Sequence, residues 1–209
     1  MPRKRNSRCK KSCRLLWPDA GLVAVPLVSE RAERQIRRWL DEFVVGLNLC
    51  PFARPLLGAQ SLRIAVCPEA GPASLQRAFL KELDRLQRST EQELATTLLA
   101  FPNALDDFDD YLHFLDGAQD LLCEAGLEGL VQLASFHPDY RFAGEAPQAA
   151  SHYSNRSPYP IIHLLREDMV ERALEDFADP ERIPERNIDT LTAVGVEELE
   201  RRWQALFTP

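Results

Sequence analysis

From Ser29 onward, apolar residues recur at helical spacing: Ala32, Ile36, Trp39, Leu40, Phe43 and Leu47, with charged residues between them. Ser29 is suited to cap this helix, and Pro51 stops it, since proline has no amide proton and disfavours a helical residue before it. "SLRIAVC" (61–67) then reads as a strand. Residues 73–88 read as an amphipathic helix through Leu75, Phe79, Leu83 and Leu86. "ATTLLAF" (95–101) is a β-rich run closed by Pro102-Asn103. The next helix carries Phe108, Tyr111, Leu112, Leu115 and Leu122 on one face and ends at Gly126.

"LVQLASF" (130–136) predicts a third strand and "PIIHLLR" (160–166) a fourth. Asp168 is placed to cap a helix carrying Val170, Ala173, Leu174 and Phe177. Further helix is expected over 188–194 and through Leu199, Trp203, Leu206 and Phe207. The order α-β-α-β-α-β-β-α-α predicts an α+β fold or α/β sandwich: one open sheet of about four short strands packed with helices. The third and fourth strands are joined without a helix, which suits antiparallel neighbours. The order also suits a rearranged ferredoxin-like sheet. No internal repeat is present.

The connection between those two strands departs from the rest of the pattern. About twenty residues without regular structure is long for a compact domain, and such loops are usually functional or disordered. Tyr140, Phe142, Tyr153 and Tyr159 favour burial, and Pro138, Pro158 and Pro160 restrict the backbone, so an ordered loop is expected. The stretch 135–168 also holds three of the four histidines and three arginines.

Composition narrows the partners. The chain has 209 residues, 45% hydrophobic and 27% charged, as in an ordinary globular protein. Its net charge is −7, yet residues 1–14 hold seven Lys/Arg and no acid, which leaves −14 on the remainder. Residues 1–28 therefore read as a basic, disordered extension, and 29–209 as a single domain. An acidic domain is an unlikely partner for nucleic acid. No run approaches the ~18–20 apolar residues of a membrane span. Five cysteines, at 9, 13, 50, 67 and 123, suit free thiols in a reducing cytoplasm better than a disulfide framework.

If the third and fourth strands pair, His137 and His163 are expected to approach one another, giving proton-transfer capacity near neutral pH. Arg141, Arg156 and Arg166 supply planar cationic donors suited to a carboxylate or phosphate. Glu167 is a candidate base or arginine partner, and Tyr140, Asn155 and Ser157 offer hydrogen bonds. Cys50 ends the first helix and is a candidate nucleophile or a packing thiol; the helix dipole there would raise its pKa. His113, among carboxylates, reads as a surface residue. No phosphate loop, GxGxxG, HExxH or GxSxG occurs, and nothing specifies a cofactor.

The phrases "LNLCPFARP", "FPNALDDFDDYLHFLD", "GLVQLASFHPDYRFAGE", "NRSPYPIIHLLRED" and "IPERNIDTL" resemble a bacterial family known as domain of unknown function 1415. The resemblance runs from Ser29 to Val194 in unbroken order. It implies that Cys50, His137, Tyr140, Arg141, Phe142, Asn155, Arg156, Ser157, His163, Arg166 and Glu167 occupy motif positions. It also implies a bacterial-type cytosolic domain, and it carries no activity.

Taken together, these residues predict a small enzyme acting on an anionic metabolite, with His137 and His163 as acid/base, the arginines as anion holders and Cys50 as possible nucleophile. One alternative is a ligand-binding or regulatory module without chemistry. Another is a metal site using His137, His163 and Cys50 or Glu167. The last is a purely structural loop whose polar groups satisfy one another.

Overall fold

The computed structural model describes residues 24–175, 177 and 179–208, so most of the basic extension lies outside the described residues. The first helix, α1 (Ala24–Trp39), starts earlier than expected, and Ser29 lies within it rather than capping it. It runs into a wide π-helical turn, Leu40–Val45. Gly46 follows because a Cβ there would stand 2.4 Å from the Glu42 carbonyl oxygen. Asn48, at φ 52°, then takes the left-handed conformation that asparagine tolerates beyond a helix end.

The remaining elements are α2 (Ala53–Leu57), β1 (Leu62–Val66), α3 (Pro72–Arg88), β2 (Thr96–Ala100), α4 (Phe108–Glu124), β3 (Val131–Phe136), a 3₁₀ turn at Ala150–Ser154, β4 (Ile161–Arg166), α5 (Glu167–Glu175), α6 (Ile183–Val194) and α7 (Val196–Ala205). All four predicted strands form, and the fold is α+β. Asp107 caps α4, its Oδ1 accepting from the N–H groups of Asp109 and Asp110.

The sheet order is β1-β2-β4-β3. β1 and β2 are parallel and joined through α3; β4 is antiparallel to both β2 and β3. β2 and β3 thus run the same way with β4 inserted between them, which is the split β-α-β unit of ferredoxin-like sheets. The rearrangement lies in β1, which adds to β2 in parallel through its own helix.

Crossovers between parallel strands are right-handed. Both move across the sheet in one direction, so both helices belong on one face. α3 and α4 indeed share a core with Leu99, Ile162 and Leu164, around Phe79, Leu83, Tyr111 and Leu122. The opposite face carries α1, its π turn, α6 and α7, packed through Ile36, Trp39, Phe43, Leu191 and Leu199 on Leu98, Ala100 and Ile161. Each fully buried large side chain contributes roughly 1.5–3 kcal/mol. One ion pair is drawn into the structure: Glu82, 4% exposed, accepts from Arg63 at 2.6 and 3.1 Å.

Candidate functional site

Alternation along the strands decides what can meet what. Phe136 pairs with Ile161 and Ala134 with His163, so Ala134, Phe136, His163 and Leu165 share one face, with Thr96 and Leu98 of β2 beside them. His137 is one residue past Phe136 and therefore turns to the other face, against Phe108 and Tyr111 at 5.2 and 5.1 Å between ring centroids. The strands pair as expected, and the two histidines do not meet.

On the His163 face lies an apolar cavity of about 390 Å³, within the roughly 300–1,000 Å³ of small-molecule sites. Its floor is Thr96, Leu98, Ala134, Phe136, His163 and Leu165; its walls are Trp39, Leu40 and Val44 on one side and Cys50, Phe52 and α2 on another. Met169, Val170 and Ala173 of α5 close it. Neither α2 nor α5 has a fully buried residue, because their apolar sides border this space. At the rim, Glu91 pairs with Arg172, which also holds Asp168 at 3.0 Å.

The few polar groups in this cavity have defined states. Thr96 has one hydroxyl proton, and it goes to the Leu164 carbonyl at 2.8 Å. The 2.6 Å contact with His163 Nε2 is then made by the imidazole N–H. Nδ1 keeps its lone pair and has no hydrogen-bond partner among the described residues. Burial lowers the His163 pKa to about 4, so the ring is neutral at physiological pH. The Trp39 N–H is buried with no partner among the described residues. Burial also raises the Cys50 thiol, against partial relief from the backbone N–H groups of Phe52 and Ala53. An imidazole whose basicity burial lowers and a thiol that burial raises are a poor match for generating a thiolate. Cys67 is still less reactive, pushed up to about 11 by burial and its contact with Glu69.

The other face carries a polar hollow of about 340 Å³, lined by Asp106, Asp107, Phe108, Asp139, Arg141, Pro147 and Arg156. Arg156 lies 4.6 Å over the Tyr153 ring, and its Nε is buried without a partner among the described residues. Among the described residues neither Arg141 nor Arg156 forms an ion pair. Leu105, beside the hollow, has φ 63°, a strained value for leucine. Its carbonyl accepts the Nε2–H of His137 at 2.9 Å, while Nδ1 accepts the Asp139 N–H at 3.0 Å. Both His137 nitrogens are occupied, and burial lowers its pKa.

His152 repeats this arrangement, bonding the Ala146 carbonyl at 2.9 Å and the Phe142 N–H at 3.3 Å. Two imidazoles thus pin the long loop, which is ordered. The remaining expected site residues disperse. Tyr140 packs on Phe108 and Phe142, with its hydroxyl 3.4 Å from Ser135 Oγ. Asn155 donates to the Ser135 carbonyl at 3.1 Å and Ser157 to that of Tyr159 at 2.5 Å. Arg166 is on the far side, on the carbonyls of Leu86, Ser89 and Leu94. Glu167 opens α5, its N–H on the Leu130 carbonyl. His113 is exposed, as expected.

A single site of His137, His163, Cys50 and three arginines is therefore not formed. Cys50 and His163 share the apolar cavity, Arg141 and Arg156 share the polar hollow, and Arg166 belongs to neither. A metal site of His137, His163 and Cys50 has its imidazoles on opposite faces, and no group of three His, Cys, Asp or Glu residues among those described is placed to hold a metal. Trp39, Thr96, Phe136 and the inner side of α5 are cavity residues that the sequence did not single out. The one signal was Thr96-Thr97, two hydroxyl residues in an otherwise apolar strand.

Residues 31–201 match the family model described as "Protein of unknown function (DUF1415)". The chain belongs to this family. No curated protein and no solved structure matches it. The family match takes in both the cavity and the hollow, along with every motif quoted above except the first two residues of the span beginning at Ser29. No helix among the described residues is long and apolar enough to cross a membrane.

Proposed function

We propose that the protein binds a small apolar molecule in the cavity between the sheet and helices α2 and α5. The carrying observation is one apolar cavity lined by a neutral histidine, a thiol and the ring of Trp39. Concave apolar sites with a few placed polar groups are the usual form of small-molecule sites. The π turn supports the same reading, since such turns recur at functional sites and this one supplies Leu40 and Val44 to the wall. Binding without chemistry fits better than catalysis, because burial raises the Cys50 thiol and weakens His163 as a base, which disfavours proton transfer between them. The free thiols of Cys50, Cys67 and Cys123 support placing it in a reducing bacterial cytoplasm.

The test is binding of the neutral dye Nile red. The wild type should bind one equivalent with a fluorescence increase. Ala173→Trp, which fills the cavity from α5, should lose that binding while melting at an unchanged or higher temperature. Equal dye binding by both proteins would overturn the reading.

A second reading keeps an anionic ligand, now at Arg141 and Arg156 alone. It is favoured by two guanidiniums around the hollow that form no ion pair among the described residues. Asp106, Asp107 and Asp139 share that hollow and oppose it, so it ranks second.

A further inference from the structure

The polar atoms of the apolar cavity specify more than its size. Among the described residues the lining contains no lysine or arginine, and its one charged residue, Glu91, is already paired with Arg172. A charged ligand group would lose its hydration there without gaining a counter-charge, which is strongly unfavourable. A fully apolar ligand would leave the lone pair of His163 Nδ1 without a donor. What remains unmet among the described residues is one acceptor, His163 Nδ1. A hydroxyl is the smallest neutral group that meets this need, since it donates one hydrogen bond and carries no charge.

We infer, on the basis of the cavity reading above, that the ligand is an uncharged, mainly hydrocarbon molecule bearing a hydroxyl that donates to His163 Nδ1. His163 is the specificity-determining residue of this site. Thr96 positions it, because its hydroxyl oxygen takes the Nε2 proton and so leaves the lone pair on Nδ1.

Four probes of one chain length test this on the full chain by displacement of Nile red at neutral pH: octanol, octyl methyl ether, octanoate and octylammonium. Octanol should bind about tenfold more tightly than the ether, which accepts but cannot donate. It should also bind at least about a hundredfold more tightly than either ion. His163→Phe should cancel the preference of octanol over the ether. If His163→Phe does not fold, the ranking of the four probes on wild type decides. Octanoate, octylammonium or the ether binding as tightly as octanol would overturn the inference. Dye binding that none of the four displaces would overturn it too, while leaving the cavity reading intact. Failure of the dye itself to bind would end both.

Discussion

Arg166 of β4 donates from Nη2 to the carbonyl of Leu86 at 2.6 Å, in the last turn of α3. The same guanidinium reaches the carbonyls of Ser89, just past the helix, and Leu94. Carbonyls at a helix end have no intrahelical partner and carry the negative end of the dipole, so a fixed cation there meets both needs. Arg166 thereby ties α3 to the strand two positions away in the sheet. Arg166→Met should lower unfolding stability by about 2–4 kcal/mol, since it strands several carbonyls at once. Arg166→Lys should recover only part, because one ammonium cannot reproduce the planar fork. Urea denaturation measures the loss, and Nile red affinity of the folded variant should be unchanged. A variant of wild-type stability with weakened ligand binding would return Arg166 to a binding role.

The elements of this fold were legible because their signals are local. Proline at 51, glycine at 126, and the change from helical to alternating spacing at Leu62 and Thr96 each mark a boundary within a few residues. The face that His137 and His163 present was not legible. It depends on Phe136 lying opposite Ile161, a register set by the long loop and by packing on both sides of the sheet. One residue of slip would have put the rings together, and one residue is below what a single sequence resolves. α2 and the 3₁₀ turn at Ala150–Ser154 were missed because such short segments have no period. The apolar positions of α5 were visible, but what they face was not: Met169, Val170 and Ala173 border a cavity built from strands distant in sequence.

The polar hollow makes its own prediction. If Arg141 and Arg156 hold an anion, inorganic phosphate at tenfold excess over its Kd should stabilise the wild type by about 1.4 kcal/mol in low salt. That corresponds to a rise in Tm of about 3–6 °C for a domain of this size. The rise should vanish in the Arg141→Met/Arg156→Met double variant and fade with added chloride. Differential scanning fluorimetry reads both. Equal rises in the two proteins, or none in either, would remove the anionic ligand from consideration.

The state of His163 fixes a pH dependence. Its folded pKa, lowered to about 4 by burial, lies below the ordinary value of 6.5 that it regains on unfolding. Between those values the unfolded chain takes up a proton that the folded chain refuses, so stability falls as pH falls. The window is therefore pH 6.5 down to about 4, and the contribution is flat above and below it. Over the full window the loss from this residue is about 3 kcal/mol. His137, whose pKa burial also lowers, acts in the same direction, so the wild-type slope alone does not isolate His163. His163→Gln does, because an uncharged amide can still donate to Thr96 and does not titrate. Urea unfolding at a series of pH values should show wild type losing about 3 kcal/mol more than the variant across the window. Parallel curves would mean that His163 charges freely in the folded protein. The neutral acceptor nitrogen on which ligand selectivity rests would then be lost on mild acidification.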